Sequence, residues 1–314
     1  MEKKLYNSVM IVGPTACGKT CLAVKLSEKY GGEIISADSR QVYRGLDLGS
    51  GKDLGEYGYI EYHLIDVASP MEEFNLFEWR KMAIEVWKEI RERKRLPVFC
   101  GGTGMYLDSI VRNYRLFEVP SNPDLRQKLS GFSMEELQAY YRSLNPALHN
   151  ETDLTERHRL LRAIEIFEYS QKQQDKNGPE PVCDIDGESL EIKPLIIGIK
   201  IPREELRKRI LLRLDQRFEA GLIDEVKNLN LQGVSWQRLE RFGLEYRFVA
   251  EYLQGKIPSF DELRNRLFIA IRQFAKRQDT WFRGMERKGV KINWITGDFF
   301  LNSVNIIEQS LFID

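Results

Sequence analysis

A glycine-rich segment near the N-terminus has the residue types of a polyphosphate-binding loop. The segment Gly13-Pro-Thr-Ala-Cys-Gly-Lys-Thr20 matches GxxxxGK[ST] at every required position. It follows the apolar run Ser8–Val12 and precedes the apolar-periodic run Cys21–Leu26, which is the strand–loop–helix context in which the motif binds phosphate. Backbone N–H groups of such a loop converge on phosphate oxygens at a helix N-terminus. In this motif the ammonium group of Lys19 neutralises charge on the outer phosphates, and the hydroxyl of Thr20 can hold Mg²⁺. The predicted binding residues are Gly13, Pro14, Thr15, Ala16, Cys17, Gly18, Lys19 and Thr20.

Asp38 lies where a second apolar run, beginning at Ile34, ends in polar residues. If strand order follows the usual pattern, it lies at the rim of the sheet close to the phosphate loop. Three roles fit a carboxylate at this position: a cap for the next helix, a ligand of magnesium, or a general base for an incoming nucleophile. The residues alone leave these roles open.

Two further positions could contact a substrate. Thr103 lies in Gly101-Gly-Thr-Gly104, directly after the strand candidate Leu96–Cys100, where glycines permit close approach of a ligand. A tight strand-to-helix turn explains the same residues. Arg217 belongs to a predicted helix, where it is either an exposed arginine or a guanidinium aimed at a diphosphate leaving group.

The stretch from Arg264 to Lys291 is strongly basic, although the whole chain has 47 basic and 47 acidic side chains. It holds nine lysines and arginines against two acids. It is either a solvated helix face or a surface that follows nucleic-acid phosphates. Its aromatic residues, Phe274, Trp281 and Phe282, are expected in the core, and this leaves Arg272, Lys276, Arg277 and Gln278 to face polar surroundings.

The elements that must position these residues alternate as strand and helix. Strand candidates are Ser8–Val12, Glu33–Ser36, His63–Asp66, Leu96–Cys100, Pro194–Ile199 and Val290–Trp294. This alternation predicts an α/β fold, a P-loop NTPase-like parallel sheet flanked by helices, with ligands at the carboxyl ends of the strands. The alternation stops in the middle of the chain. We therefore predict a catalytic core formed by residues 1–117 and 190–314, with a small helical insertion at 118–189.

Bulk composition excludes several classes of protein. The chain has 314 residues, of which 42% are hydrophobic, and no run of 18 apolar residues, so no membrane span is predicted. Four cysteines without CxxC spacing and three histidines argue against a zinc site. We expect a cytoplasmic monomer with reduced thiols and no membrane association.

Taken together, the motifs resemble those of the tRNA dimethylallyltransferases. GPTACGKT, SADSRQVYRGLDLGSGK, YHLID, GGTGMYL, RLLRAIEIFE and AKRQDTWFRG follow that family's order and nearly its spacing, from Gly13 to about Trp294. The resemblance implies transfer of a dimethylallyl group from dimethylallyl diphosphate to N6 of the adenine on the 3′ side of the tRNA anticodon, with Mg²⁺. It also implies that the helical insertion grips the anticodon stem-loop.

By the same resemblance, Asp38 is the general base, Thr103 contacts the adenine amine and Arg217 contacts the diphosphate. The implied tRNA contacts are Asp38, Ser39, Arg40, Gln41, His158, Arg159, Leu160, Leu161, Arg162, Gln273, Lys276, Arg277, Gln278 and Thr280. The chain departs from the family's patterns at Gly49–Asp53, Tyr62, His149–Asp153 (with Asn150 in second position) and Gly243–Arg247.

Three other functions remain open from the residues. A small-molecule kinase or ATP-hydrolysing enzyme fits the loop alone, but no clear second magnesium carboxylate follows an apolar strand, the nearest being Asp66. A prenyltransferase for free adenine nucleotides needs neither the insertion nor the basic stretch. A non-enzymatic RNA-binding protein needs neither Lys19 nor Thr20.

Overall fold

The computed structural model describes residues 6–114, 116, 119–120, 122–144, 156–174 and 192–311. The chain forms two compact units, one made of Met1–Asn113 with Glu191–Asp314 and the other of Tyr114–Leu190. The predicted insertion, 118–189, falls within the second unit. The departure at His149–Asp153 and the cysteine Cys183 lie outside the described residues.

The first unit is built on a six-stranded sheet with the order β3-β2-β4-β1-β5-β6. Every described pairing between neighbouring strands is parallel. The strands are β1 (Ser8–Val12), β2 (Gly32–Ser36), β3 (Tyr62–His63), β4 (Leu96–Cys100), β5 (Pro194–Ile199) and β6 (Asn293–Ile295). The predicted α/β class and parallel sheet are confirmed.

Helices connect and flank these strands. In the first unit they are α1 (Lys19–Tyr30), α2 (Leu76–Glu92), α3 (Gly104–Val111), α7 (Arg203–Glu219), α8 (Leu222–Leu231), α9 (Trp236–Phe242), α10 (Leu244–Leu253), α11 (Phe260–Arg287) and α12 (Phe299–Leu311). The second unit contains α4 (Pro123–Lys128), α5 (Met134–Ser143) and α6 (Arg157–Gln174). No helix in the described parts of the chain is both long and apolar enough to cross a membrane.

The central strands are apolar along their length because helices and neighbouring strands cover them. Val9, Ile11, Ile34 and Val98 are fully buried in one cluster with the inner face of α1. A strand buried on both faces needs no polar alternation, so its sequence is a continuous apolar run. This explains why the central strands were predicted to within one residue.

The third strand is shorter than the predicted His63–Asp66. Leu64 and Asp66 have φ angles of 63° and 57°, in the left-handed region that a strand cannot use. The Asp66 carboxylate accepts a hydrogen bond from the buried Lys52, whose amine also donates to Asp47 at 2.6 Å. Asp66 therefore holds this turn through Lys52.

The second unit has its own small core. Leu125, Leu137, Leu160 and Ile164 are buried together in it. Helix α5 begins with a reciprocal cap, in which the Ser133 side chain accepts from the backbone of Glu136 and the Glu136 side chain accepts from the backbone of Ser133. Such a cap stabilises a short helix by about 1 kcal/mol.

A buried carboxylate at the start of β2 contributes to the stability of the sheet. Glu33 is fully buried and accepts two hydrogen bonds from Arg93, at 3.1 and 2.7 Å, and lies 2.7 Å from His63 Nε2. Burial acts to raise the pKa of Glu33, but the hydrogen bonds from Arg93 and His63 outweigh it and hold the pKa below its usual value. The carboxylate is therefore charged in the folded protein at neutral pH.

We expect Glu33→Gln to lower the free energy of unfolding by about 2 kcal/mol at pH 7, because a neutral amide cannot replace the charge-assisted hydrogen bonds that the buried carboxylate accepts from Arg93. Because the pKa of Glu33 is lower in the folded than in the unfolded protein, its charged carboxylate stabilises the fold fully above the unfolded pKa of about 4.3. This stabilisation is lost as the pH falls through the folded pKa. The deficit should thus shrink below about pH 4, measured by urea unfolding at several pH values. Glu89→Gln, which removes only an exposed partner of Arg93, is the control and should cost less than about 0.5 kcal/mol. A deficit that stays constant with pH would contradict the assignment.

Candidate active site

The carboxyl ends of the central strands open onto a cavity of about 270 Å³. The phosphate loop after β1, the loop after β2 and the loop after β4 form part of its wall, and α7, α10 and α11 supply the rest. Among the predicted site residues, the cavity is lined by Thr15, Ala16, Gly18, Lys19, Thr20, Asp38, Arg40, Gln41, Arg217 and Gln278. The structure therefore gathers predicted residues from four separate stretches of sequence.

The phosphate loop has the tight backbone that its glycines predict. Gly18 has a φ of 94° and precedes α1 as its N-cap without a side-chain hydrogen bond, and Gly18, Lys19 and Thr20 at this helix N-terminus line the cavity. The amine of Lys19 donates to Pro14 O at 2.8 Å, so the lysine folds over its own loop. Cys17 is buried behind the loop, where burial, opposed by the charge of Lys19, raises the pKa of its thiol.

Asp38 is half-buried and lines the cavity. Its Oδ1 accepts a hydrogen bond from Arg40 N at 2.9 Å, which closes a local turn. No α-helix begins directly after it, because the next helix of the described chain is the short 3₁₀ turn Leu54–Tyr57. Of the three roles open from the sequence, the helix cap is therefore wrong, and the carboxylate faces the cavity.

Thr103 holds the loop that carries Asp38. Its Oγ1 accepts from Ser39 N at 3.0 Å and donates to Ser39 Oγ at 3.3 Å, and its backbone N–H donates to Ala37 O at 3.1 Å. The neighbouring Gly101 permits this approach, because a Cβ there would lie 2.2 Å from Ala37 O. In this structure Thr103 positions the loop after β2 through these bonds.

The predicted RNA contacts Arg40 and Gln41 lie on the same loop and point into the unit. Gln41 Nε2 donates to Gly51 O at 2.9 Å, and Gln41 Oε1 accepts from Ser36 Oγ at 2.9 Å. The guanidinium of Arg40 lies 5.0 Å from the ring centre of Phe274. Both side chains thus order the cavity wall.

Arg217 is the strongest structural sign of an anion in the cavity. Its side chain is 7% exposed, with Nη1 3.6 Å from Glu245 and Nη2 3.8 Å from Asp53. Its Nε and Nη2 are buried and find no hydrogen-bond partner among the described residues. Because Arg217 lines the cavity, its charge can stabilise an anion bound there even though its Nε and Nη2 atoms are buried.

Gly51 makes room for that guanidinium. It has a φ of 70°, and a Cβ there would lie 2.1 Å from Arg217 Nη2. We expect Gly51→Ala to weaken binding of Mg²⁺-pyrophosphate about tenfold, because one displaced charged contact is worth about 1.5 kcal/mol or more.

Gly58→Ala is the matched control, because Gly58 also has a positive φ, 55°, but open space around it. Alanine is strained at both positions because φ is positive at each, yet only the first variant should change pyrophosphate affinity in titration calorimetry. Equal pyrophosphate affinities for the two variants would show that displacing the Arg217 guanidinium does not affect binding.

Arg213 is a cavity residue that the sequence analysis missed. Its Nη2 donates to Thr15 Oγ1 at 2.6 Å. Burial, and next the charge of Arg217, lower the pKa of Arg213 to about 10. Its position four residues before Arg217 places both on one face of α7, and this helical spacing was the available signal.

Gln278 lies inside the cavity wall, although the family resemblance gave it as an RNA contact. It is 6% exposed, its Oε1 accepts from Thr15 N at 2.8 Å and its Nε2 donates to Gly102 O at 2.9 Å. It therefore joins the phosphate loop to the loop after β4. Phe282 is fully buried as predicted, whereas Phe274 is half-buried and lines the cavity.

The other predicted contacts on α11 form its outer face. Gln273, Lys276, Arg277 and Thr280 are exposed, and Thr280 Oγ1 donates to Lys276 O at 2.9 Å. In the second unit, His158 and Arg159 are exposed and lie near Glu156, at 3.6 and 3.4 Å. Leu160 is fully buried, Leu161 is half-buried, and Arg162 Nη2 donates to Val119 O at 2.7 Å.

The oxygen ligands of the cavity fit a magnesium ion. The carboxylate of Asp38 and the hydroxyl of Thr20 line the same space as the phosphate loop. Mg²⁺ is usually held by one or two protein oxygens together with phosphates and waters. A metal there would offset the charge of a bound diphosphate.

Comparison with known proteins identifies the family. A family model described as IPP transferase matches residues 41–285, and one described as isopentenyl transferase matches residues 6–57. A curated tRNA dimethylallyltransferase 2 of Treponema denticola is 52% identical over 290 residues, covering 92% of this chain and 96% of that protein. The chain belongs to the IPP transferase family. A tRNA dimethylallyltransferase 1 of Geotalea uraniireducens is also 52% identical, covering 93% of each chain.

Solved structures of the IPP transferase family show the same fold. The full-length tRNA isopentenylpyrophosphate transferase of Bacillus halodurans matches with a TM-score of 0.66 and 31% identity, covering 99% of this chain and 96% of that one. A eukaryotic dimethylallyltransferase acting on tRNA matches with a TM-score of 0.70, covering 98% of this chain and 79% of that one. Its identity is 20%, so that likeness establishes the fold alone.

Proposed function

We propose that this protein is a tRNA dimethylallyltransferase that moves the dimethylallyl group from dimethylallyl diphosphate to N6 of the adenine on the 3′ side of the anticodon. The observation that carries the proposal is the convergence of three cations, Lys19, Arg213 and Arg217, on one cavity that Asp38 also lines. Diphosphate is the leaving group that such a cluster of cations stabilises. The curated relatives named above carry the same activity in their names.

The leaving group is held by the phosphate loop and the arginines of α7. As the allylic C–O bond breaks, negative charge collects on the diphosphate. Lys19, Arg213 and Arg217 are placed to stabilise that charge, and Mg²⁺, held by Thr20, would add a Lewis acid. The nucleotide-binding motif therefore serves a leaving group, and no nucleotide is hydrolysed.

Asp38 serves the nucleophile in the proposed reaction. An exocyclic adenine amine is conjugated with its ring and is a poor nucleophile. A carboxylate that accepts its proton while the N–C bond forms lowers the barrier. The adenine must leave its stack to reach a cavity of this kind, so we propose that it is flipped out of the anticodon loop.

The tRNA would be held by two basic surfaces. The outer face of α11 presents Lys276 and Arg277 to solvent. In the second unit, α6 presents His158 and Arg159. Such cations bind backbone phosphates and position an RNA without reading its sequence.

Label transfer tests the function directly. Purified protein with Mg²⁺, labelled dimethylallyl diphosphate and unmodified tRNA should move label into RNA at the adenine on the 3′ side of the anticodon. Label that enters AMP or ADP but never RNA would instead establish a free-nucleotide prenyltransferase. ATP hydrolysis without any label transfer would establish a kinase or NTPase.

A further inference from the structure

Tyr57 is a buried phenol in the cavity wall to which the proposed transfer assigns no role. It is 3% exposed, ends the short 3₁₀ turn Leu54–Tyr57 and lines the cavity. Its ring belongs to the same buried cluster as Leu22 of α1 and Cys100 at the end of β4. The ring is therefore held in place beside the helix that follows the phosphate loop.

The hydroxyl of Tyr57 has no hydrogen-bond partner among the described residues. A polar atom that is buried without a partner costs free energy, so such atoms are rare in folded proteins. Unlike the Nε and Nη2 atoms of Arg217, the Tyr57 hydroxyl is not sealed off from open space. The small exposed area of this residue therefore includes its oxygen, and a ligand in the cavity can reach it.

The surroundings of the hydroxyl keep it protonated and show which way it points. Burial is the main cause that raises the pKa of Tyr57. Four acidic groups raise it further, and all of them line the same cavity: Cys100, Asp38, Glu56 and Asp53. Because electrostatic interactions weaken with distance, these groups place the hydroxyl on the cavity side of the ring. The phenol is therefore a neutral hydrogen-bond donor that faces the cavity.

A neutral donor in this position suits an anionic ligand. Hydrogen bonds to charged acceptors are about twice as strong as those between neutral groups, so a phosphate oxygen is a better acceptor than a ring nitrogen of adenine. Lys19 and Thr20, the first residues of the helix beside the ring, line the cavity where the diphosphate would be bound. A phenol there adds a hydrogen bond to the diphosphate without changing the net charge of the cavity.

Tyr57 is not part of the motifs that resemble the family. It lies between SADSRQVYRGLDLGSGK, which ends at Lys52, and YHLID, which begins at Tyr62. The segment just before it, Gly49–Asp53, is one of the places where the chain departs from the family's patterns. The role of this hydroxyl therefore has to be inferred from its position in the cavity wall.

We propose that Tyr57 is a substrate-binding residue whose hydroxyl donates a hydrogen bond to an oxygen of the diphosphate. This inference rests on the proposed function, in that the anion is the diphosphate of the allylic donor. The hydroxyl keeps its proton throughout. Its hydrogen bond strengthens as negative charge collects on the leaving group, so it contributes to the transfer step as well as to binding.

Tyr57→Phe on the full chain tests this, because it removes one oxygen and keeps the ring that packs in the buried cluster. Titration calorimetry with Mg²⁺-pyrophosphate should show an affinity about tenfold below that of the wild type, as expected for a lost hydrogen bond to a charged group. Tyr62→Phe is the matched control. Its ring lies 4.6 Å from that of Tyr57, but Tyr62 is exposed and is not a lining residue of the cavity, so the affinity should stay within about twofold.

Three results would overturn the inference. Tyr57→Phe could bind pyrophosphate as tightly as the wild type, or both phenylalanine variants could lose the same affinity, or the wild type could fail to bind pyrophosphate at all. A raised KM for tRNA in Tyr57→Phe, with unchanged pyrophosphate affinity, would assign the hydroxyl to the adenine instead. The titration contains neither RNA nor an allyl group. Failure of label transfer by a wild type that binds pyrophosphate would therefore count against the proposed function alone.

Discussion

Replacing Asp38 with alanine should abolish dimethylallyl transfer while leaving tRNA affinity within roughly tenfold of the wild type, since a base acts mainly in the transition state. The expected loss of turnover is about 10³-fold, within the usual range for a general base. Single-turnover transfer of labelled dimethylallyl and filter binding of unmodified tRNA measure the two quantities. Unchanged turnover would remove the carboxylate from the mechanism.

The alanine variant also removes the hydrogen bond from Arg40 N to Asp38 Oδ1, so a second variant must separate chemistry from loop shape. Asp38→Asn keeps an amide oxygen for that bond but accepts a proton poorly. It should lose nearly as much turnover as the alanine variant. Asp224→Asn, at an exposed carboxylate in the first turn of α8, is the control and should be fully active. If Asp38→Asn transfers normally, the role of Asp38 is the turn alone.

Replacing Lys19 with alanine should lower both transfer and Mg²⁺-pyrophosphate affinity, with turnover falling about 10²- to 10³-fold. The reason is that its amine lies over the phosphate loop, where it donates to a backbone carbonyl, and lines the cavity in which the departing phosphates would be bound. Label transfer at saturating tRNA and calorimetry with pyrophosphate provide the measurements. The affinity for tRNA alone should stay within about threefold, because Lys19 belongs to the donor side of the cavity.

Lys25→Ala is the matched control for that experiment. Lys25 lies on the same helix, α1, and is exposed. It changes the net charge by the same amount as Lys19→Ala. Comparable losses in the two variants would mean that total charge, rather than the placement of the Lys19 amine, governs donor binding.

The parts of the fold that the sequence predicted well are those fixed by local pattern. The apolar runs Ser8–Val12, Leu96–Cys100 and Pro194–Ile199 are strands with the predicted bounds. Their pattern is strong because both faces of each strand are covered. The third strand was predicted at His63–Asp66, but it covers Tyr62–His63. The left-handed backbone that ends it at Leu64 cannot be read from the pattern of apolar residues.

In the active site, too, the features that the sequence predicted are the local ones. The phosphate loop was predicted from local sequence because its glycines and lysine work within one short segment. The contacts of Arg217 with Glu245 and of Arg213 with Thr15 join distant segments, so no local pattern reveals them. The bond from Thr15 N to Gln278, across 263 residues, is another such contact.

The hydrogen bonds of the Gln278 side chain to Thr15 and Gly102 depend on where Gln278 lies along α11. Gln278 lies nineteen positions into α11, which starts at Phe260. Each residue inserted or deleted between them turns the helix by about 100° and shifts it by about 1.5 Å. A single deletion would therefore swing the carboxamide away from the phosphate loop and turn the outer cations Lys276 and Arg277 by the same angle. Length changes should be tolerated in the surface turns of this protein and not in this segment.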